Sequence, residues 1–320
     1  MEKQDNQSNN SRIYAKIANR IAREAVFTLT RSQFDLLFVL LSKTKPDDDP
    51  DRWYRISVKE LCNALYIDLD KSGTYYKRIK ADLDKLNNAR WCKTKDGEFL
   101  LSWLQNADHG DAVRVDDEGR MTINENVDLF NEIKDDDPAE GMLKSEYEVS
   151  EETQNKSRYW SGNIHYRFNA YLQHYLINLT GNYTLIELNQ VITFVKPLSI
   201  RLYMYLKSFV YKEKLESNEP VFVKANLTEL RRIITCVSET KKVERNPENS
   251  IKYFIRDAIK PAVEEINRKS SEFHVEFTME RDPYTKSYKN IRFMLTKAGY
   301  TQIESAKSNL ELMRSKVKKA

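Results

Sequence analysis

The chain of 320 residues is poor in cysteine, glycine and proline, with 3, 8 and 8 of each. Cys62, Cys92 and Cys236 lie far apart and form no C-x-x-C pair, which argues against a disulfide framework and against a thiolate zinc site. The longest apolar run, Leu36 to Leu41, is far shorter than the ~20 residues that cross a bilayer. Residues 1–10 contain no apolar signal stretch, so we expect a cytoplasmic protein without a membrane segment.

The motifs of nucleotide-binding and metal-dependent enzymes are also missing. No glycine is followed by Lys and no G-x-G occurs, which excludes a P-loop and a dinucleotide fingerprint. The four histidines, at 109, 165, 174 and 274, form none of the spacings expected of a metal centre. The acidic runs Asp47–Asp49 and Asp135–Asp137 lie beside prolines and are interpreted as solvated loops. We therefore expect no enzyme, no catalytic residue, no cofactor and no metal site.

Charge is abundant but unevenly distributed. Residues 106–152 hold 4 basic against 16 acidic residues, a net −12, whereas residues 196–320 hold 26 against 16, a net +10. A basic C-terminal half beside an acidic middle is typical of a chain of which one part meets a polyanion. The alternative is that Lys and Arg only keep surface helices in solution. Because like charges repel, we expect the acidic segment to point away from a polyanion or to contact a basic surface; the alternative is a solvated loop without a partner.

In the first half, apolar periodicity and capping signals predict two helices, a short strand between them, and then a longer helix and two strands. Thr30 or Ser32 caps the first helix, and Ser57-x-x-Glu60 is a capping box for the second. Asp70 or Ser72 caps the longer helix. The predicted ranges are a helix over Leu29–Leu41, a strand over Trp53–Ile56, helices over Lys59–Tyr66 and up to Asn88, and strands over Arg90–Lys93 and Phe99–Leu104.

The second half repeats this order. Pro197 begins a helix, a strand follows at Val221–Lys224, and Asn226-x-x-Glu229 opens a helix through about Cys236. A longer helix runs from Asn246-Pro247 to about Asn267, and Pro261 inside it should cause a kink. A hairpin then has alternating apolar residues on both arms: Phe273, Val275, Phe277 and Met279, then Ile291, Phe293 and Leu295.

Helix, strand, helix, turn, longer helix and hairpin is the order of a winged helix, and it occurs twice. We therefore predict an α+β fold of two tandem winged-helix domains, each a helix-turn-helix plus a β-hairpin. The predicted division is a polar tail and lead-in (1–24), a first domain (25–180) with an acidic insertion at about 106–158, a second domain (181–298) and a basic helical tail (299–320).

In a helix-turn-helix the second helix enters the major groove. In the second half, residues at i, i+3, i+4, i+7 and i+11 share one face of that helix: Asn249, Lys252, Tyr253, Arg256 and Lys260. Arg can bind a guanine edge, Asn can pair with adenine, and Lys neutralises phosphate. The hairpin tip adds Arg281, Lys286, Tyr288 and Lys289, which are either a wing on DNA or a solvated turn. In the first half, Lys77, Arg78 and Lys85 form a thinner basic face, for DNA or for a protein partner.

These residues resemble a known family, the iteron-binding plasmid replication initiators. The most specific stretch is SIKYFIRDAIKPAVEEINRKSSEFHVEF, residues 250–277, with SIRLYMYLKSF (199–209) and LTRSQFDLLFVLL (29–41) as further pieces. The resemblance spans about residues 25–298, and the acidic segment 106–158 departs from it. It implies two winged-helix domains, and it carries a DNA-contacting role onto Lys252, Tyr253, Arg256, Lys77 and Arg78.

The resemblance further implies binding of direct repeats at a plasmid origin in double-stranded DNA and opening of an adjacent AT-rich segment. It implies recruitment of the host initiator ATPase and the replicative helicase, and self-association as a homodimer that represses its own gene. A two-domain winged-helix transcriptional regulator is the alternative; it needs one palindrome, whereas an initiator needs several tandem repeats. A rolling-circle nickase would need a His-hydrophobic-His motif, which is absent.

Overall fold

The computed structural model of the chain describes residues 13–45, 47–49, 52–67, 73–87, 90–94, 97–108, 113–115, 121–123, 163–177, 179–210, 216–235 and 247–318. Several of the predictions lie outside these residues: the tail 1–10, the caps at Asp70 or Ser72, the helix ends at Asn88 and Cys236, the cap at Asn246, and the path of the acidic insertion over 124–158.

The described elements of the first half alternate helices with short strands. They are β1 (Tyr14–Ala18), α1 (Asn19–Glu24), α2 (Arg31–Leu41), β2 (Tyr54–Ser57), α3 (Val58–Ala64), α4 (Gly73–Asn87), β3 (Arg90–Thr94), β4 (Gly97–Leu101), β5 (Leu104–Asp108), β6 (Val113–Val115), β7 (Met121–Ile123), β8 (Asn163–Phe168), α5 (Ala170–Leu176), β9 (Tyr183–Glu187) and α6 (Leu188–Val191). The predicted strand over 99–104 is thus divided between β4 and β5.

The second half has the same kind of elements in the predicted order. They are α7 (Pro197–Lys207), β10 (Val221–Asn226), α8 (Leu227–Thr235), α9 (Pro247–Phe254), a π turn (Ile255–Ile259), α10 (Lys260–Lys269), β11 (Phe273–Arg281), β12 (Tyr288–Lys297) and α11 (Tyr300–Lys318). Strands pair antiparallel in two three-stranded sheets, β2-β8-β5 and β10-β12-β11, and in the pairs β1-β9, β3-β4 and β6-β7.

Local capping explains where the helices begin. Thr30 caps α2 in a complete capping box: its hydroxyl accepts from Gln33 N at 3.4 Å, and Thr30 N donates to Gln33 Oε1 at 3.1 Å. Ser57 Oγ accepts from Glu60 N at 3.1 Å and caps α3, while the Glu60 carboxylate pairs with Lys43. Asn226 Oδ1 caps α8 by accepting from the N–H groups of residues 228 and 229.

The longer helix of the second half is irregular just before Pro261, where the sequence predicted a kink. It is interrupted by the π turn, in which Lys260 N donates to Ile255 O, five residues back. The turn lies directly before Pro261, which has no N–H for the carbonyl of Asp257 and crowds that carbonyl with its ring. The helix therefore accommodates the proline by widening one turn, a feature that occurs often at functional sites.

Buried contacts join the two halves. β1 lies in the predicted lead-in, yet it pairs with β9, with Tyr14 opposite Glu187. Arg201 on α7 is buried, and its Nη2 donates to Ala25 O at 2.8 Å. One hydrophobic core cluster contains residues of both halves. The division of the chain at residue 180 stays a prediction.

The predicted C-terminal tail forms the helix α11, which packs on α10. Near its end, Arg314 Nε donates to Tyr66 Oη at 3.0 Å. That hydroxyl donates to Asn189 Oδ1, also at 3.0 Å. Because Tyr66 follows α3 and Asn189 belongs to α6, the last helix contacts the first helix-turn-helix directly and is linked to α6 through the Tyr66 hydroxyl.

Candidate nucleic-acid interface

The basic face predicted on the second recognition helix is present at the surface. Lys252, Tyr253, Arg256 and Lys260 are all exposed, on α9, the π turn and the first residue of α10. The opposite side is buried and consists of Phe254, Ile255, Ala258, Ile259, Ala262 and Ile266. Asn249 lies in α9, and its side chain is outside the described residues. The helix therefore presents cations and an aromatic ring to solvent while its apolar side anchors it.

Arg256 is held in place by two neighbours. Its Nε donates to Asp257 Oδ1 at 2.6 Å and its Nη2 to Asp257 Oδ2 at 2.8 Å, a bidentate pair. Its guanidinium also lies 4.8 Å from the centre of the Tyr253 ring. The hydrogen bonds with Asp257 raise the pKa of Arg256 and lower that of Asp257. Sequence reasoning missed Asp257, although an acid directly after the central arginine was a visible signal.

The wing of the second domain is the hairpin of β11 and β12. Asp282 shapes its tip, because its Oδ1 accepts from Tyr284 N at 2.9 Å and from Thr285 N at 3.0 Å. Lys286 takes a left-handed backbone (φ 58°) and its N–H donates to Asp282 O at 3.0 Å, so the turn closes on itself. Tyr284 is 92% exposed at this tip, and sequence reasoning did not select it.

The predicted cations of the wing are exposed but not equivalent. Lys286 projects from the tip, whereas Lys289 Nζ donates to Asp282 Oδ2 at 3.3 Å. Arg281 Nη2 donates to Tyr288 Oη at 3.2 Å, and its guanidinium lies 4.8 Å from that ring. Backbone N–H groups, that of Thr285 first, hold the pKa of Asp282 below its usual value, so the acid stays ionised beside Lys289.

A second basic cluster, not predicted from the sequence, lies on the outer face of the sheet β10-β12-β11. Glu280 on β11 accepts from Lys224 Nζ at 2.6 Å and from Arg292 Nη2 at 2.9 Å. Lys224 first, then Arg292, lowers the pKa of Glu280. Lys224 and Arg292 are opposite each other in the β10–β12 register, so pairing of three strands brings these charges together.

In the first half, Arg78 is exposed on α4, and Lys77 lies on the same helix with its side chain outside the described residues. Arg31 Nη2 pairs with the buried Asp35 Oδ2 at 3.1 Å. Burial raises the pKa of Asp35 to about 7, against the opposing charges of Arg31 and Arg78. The charge of Arg78 therefore favours the ionised form of Asp35, although Arg78 itself is exposed.

The C-terminal end of the recognition helix is tied to the segment that joins the halves. Buried Glu265 accepts from Val195 N at 2.7 Å, from Lys196 N at 3.2 Å and from Ser199 Oγ at 2.6 Å. Lys269 Nζ donates to Glu265 Oε1 at 2.9 Å and to a backbone carbonyl of the same segment. Burial opposes ionisation of Glu265, but hydrogen bonds, that of Ser199 foremost, lower its pKa. Glu265 near the end of α10 thus holds the segment that leads into α7.

Other kinds of site were sought in the same residues. Cys62 is buried, and burial raises the pKa of its thiol to about 11. Among the described residues, no group of three or more His, Cys, Asp and Glu side chains is placed to hold a metal ion. Over the same ranges, no helix combines the length and the apolar character that a membrane span requires.

The comparisons with known proteins agree with the two-domain architecture. A family model described as "Initiator Replication protein, WH1" matches residues 15–207, and one described as "Initiator Rep protein, WH2" matches residues 226–294. The crystal structure of Pi initiator protein in complex with iteron DNA has a similar fold, with a TM-score of 0.55 and 14% sequence identity over 90% of this chain and 98% of that chain. No curated protein matches the sequence. The predicted fold, α+β with two tandem winged-helix domains, is confirmed.

Proposed function

Because the chain belongs to the initiator replication protein family, we propose that it binds repeated origin sequences in double-stranded DNA to start plasmid replication. The second winged-helix domain makes the main contacts through its recognition helix and wing, and the first domain adds contacts through α4. The protein acts by binding and by deforming DNA, without catalysis, in the cytoplasm.

The observation that carries the proposal is the exposed face of Lys252, Tyr253, Arg256 and Lys260. It lies on the helix that follows the capped helix α8, within the residues that match the second family domain. In such a pair the second helix enters the major groove, where Arg reads guanine and Lys neutralises phosphate. The solved structure of similar fold is itself a complex of an initiator with iteron DNA, which supports DNA as the partner of this chain.

The wing is the second element that we propose to contact DNA. The residues at or next to its tip, Arg281, Tyr284, Lys286 and Lys289, are exposed, so the hairpin presents cations and one aromatic ring to solvent. Such a hairpin can lie along the backbone of the duplex, where cations give sequence-independent affinity. In the first domain, we assign DNA contact to Arg78 and Lys77, which lie on the helix α4.

The later steps of initiation form the second part of the proposal. Bound copies on adjacent repeats open a neighbouring AT-rich segment and recruit the host initiator ATPase and the replicative helicase. A homodimer represses the gene of the initiator. These steps are inferred from family membership and from the two winged-helix domains in one chain.

The test is a footprint of the purified chain on the DNA upstream of its own gene. We expect protection of several tandem repeats without ATP or divalent cations, followed by permanganate reactivity in an adjacent AT-rich segment. Protection of a single palindrome, with no reactive segment, would instead identify a winged-helix transcriptional regulator. Strand cleavage that depends on Mg²⁺ would contradict the non-catalytic part of the proposal.

A further inference from the structure

A bidentate pair joins Arg256 and Asp257 on the helix that we propose to face DNA. The two residues are sequence neighbours, and neighbouring side chains do not face each other on a regular α-helix. Both belong to the π turn that precedes Pro261, and there the guanidinium and the carboxylate meet at 2.6 and 2.8 Å. Both side chains are more than half exposed, so the pair lies on the surface proposed to meet DNA.

The atoms used by this pair decide what Arg256 can still bind. A guanidinium carries five N–H donors in a planar fork. Asp257 takes the edge formed by Nε and Nη2, and it does not take the edge formed by Nη1 and Nη2. That second edge has two parallel donors, the arrangement that binds O6 and N7 of guanine. The Tyr253 ring, 4.8 Å away, restrains the same group from its face.

Asp257 has a second effect, on phosphate. An arginine alone on a basic face binds any phosphate oxygen, and this gives affinity without sequence information. A carboxylate beside it repels the backbone, while an arginine already oriented loses less freedom when it binds a base edge. An acid at this position therefore lowers the affinity for random DNA more than the affinity for a site that places a guanine opposite Arg256.

We propose that Asp257 is a positioning residue that sets sequence specificity, an inference that rests on the function proposed above. It orients the Nη1–Nη2 edge of Arg256 toward one guanine in each repeat and opposes the use of Arg256 as a phosphate contact. The pair, rather than Arg256 alone, then reads that base pair.

The experiment selects binding sites from a randomised duplex library with the full chain and with two variants. Asp257→Asn removes the charge of the positioning residue, and Glu264→Gln is the matched control, because Glu264 is an exposed acid on the same helix. We expect the unchanged chain and E264Q to enrich the same motif with one guanine in common. D257N should lose the preference for that guanine by roughly 5- to 100-fold and should bind random duplex more tightly.

Since exposed ion pairs contribute little to stability, D257N should fold normally, and its far-ultraviolet circular dichroism should match that of the unchanged chain. A base preference in D257N equal to that of the unchanged chain would overturn the role of Asp257 and leave the proposed function intact. A change in D257N no larger than that in E264Q would also overturn it, because the effect would then be one of net charge. If the unchanged chain enriches no motif at all, both this inference and the proposed function fail.

Discussion

Replacement of Glu265 by Ala should strongly destabilise the protein. The carboxylate is 2% exposed and accepts from Val195 N, Lys196 N and Ser199 Oγ, and it also pairs with Lys269, whose side chain is 11% exposed. The Ala variant leaves three donors and a buried ammonium group without this acceptor. Because breaking a buried ion pair by removal of one partner costs about 3–5 kcal/mol, we expect the free energy of unfolding to fall by that amount.

Replacement of Lys269 by Met should cost less, about 1–3 kcal/mol, because Glu265 would keep three hydrogen bonds that stabilise its charge. The pH dependence has a defined sign as well. The pKa of Glu265 is lower in the folded state than in the unfolded state. The stability that its ionised carboxylate gives is therefore fully present at a pH above the ordinary pKa of a glutamate, and it is lost as the pH falls through the folded-state pKa. A Glu265→Gln variant should lack this acid-dependent loss.

Urea unfolding followed by circular dichroism measures these changes. All four tryptophans, at 53, 91, 103 and 160, lie in the first half, so tryptophan emission follows that half separately. Glu264→Gln, next to the perturbed residue but exposed, is the control and should stay within about 0.5 kcal/mol of the unchanged chain. A loss in E265A no greater than in this control, or a loss in K269M as large as in E265A, would refute the proposed role of the buried carboxylate.

Three further predictions concern single side chains. Arg256→Ala should lower affinity for the origin repeats roughly 5- to 100-fold in a titration while random duplex is affected less, and equal losses on both would make it a backbone contact. Tyr284→Ala, at the wing tip, should leave the unfolding transition unchanged and weaken binding to every duplex, and full retention of binding would remove the wing from the interface. Burial raises the pKa of Asp35 to about 7, so below that pH the folded state keeps a proton on Asp35 that the unfolded state has lost. The free energy of unfolding should therefore fall as the pH rises toward 7, by at most about 1.4 kcal/mol per pH unit. Asp35→Asn should flatten this profile in denaturation at about pH 5 and about pH 8, and an unaltered slope would show that another group titrates.

Several features of the protein depend on residues that are close together in the sequence, and these features were predictable. The caps at Thr30, Ser57 and Asn226 are formed with residues two or three positions away, so short motifs were sufficient to locate them. Strict alternation of apolar residues predicted β11 and β12, since one face of that sheet is buried. The repeated order of elements and the resemblance to plasmid initiators led to the correct family and fold.

The exposed face of the recognition helix was also predicted, because helical spacing places its members together once the apolar side is known. The form of that helix was not. A proline in a helix indicates distortion, but it does not tell which hydrogen-bonding pattern the backbone adopts, because the outcome depends on how both sides are packed. Here the turn at Ile255–Ile259 widened, and Arg256 and Asp257 meet within it.

Contacts between residues far apart in the chain were decided only by the tertiary structure. Glu265 binds the backbone N–H of Val195, 70 positions earlier, and Arg314 reaches Tyr66 across 248 positions. Lys224, Glu280 and Arg292 meet because three strands pair in one register. No short-range pattern encodes such meetings: a charged residue has many possible partners along the chain, and the packing of the core selects which one comes within hydrogen-bonding distance.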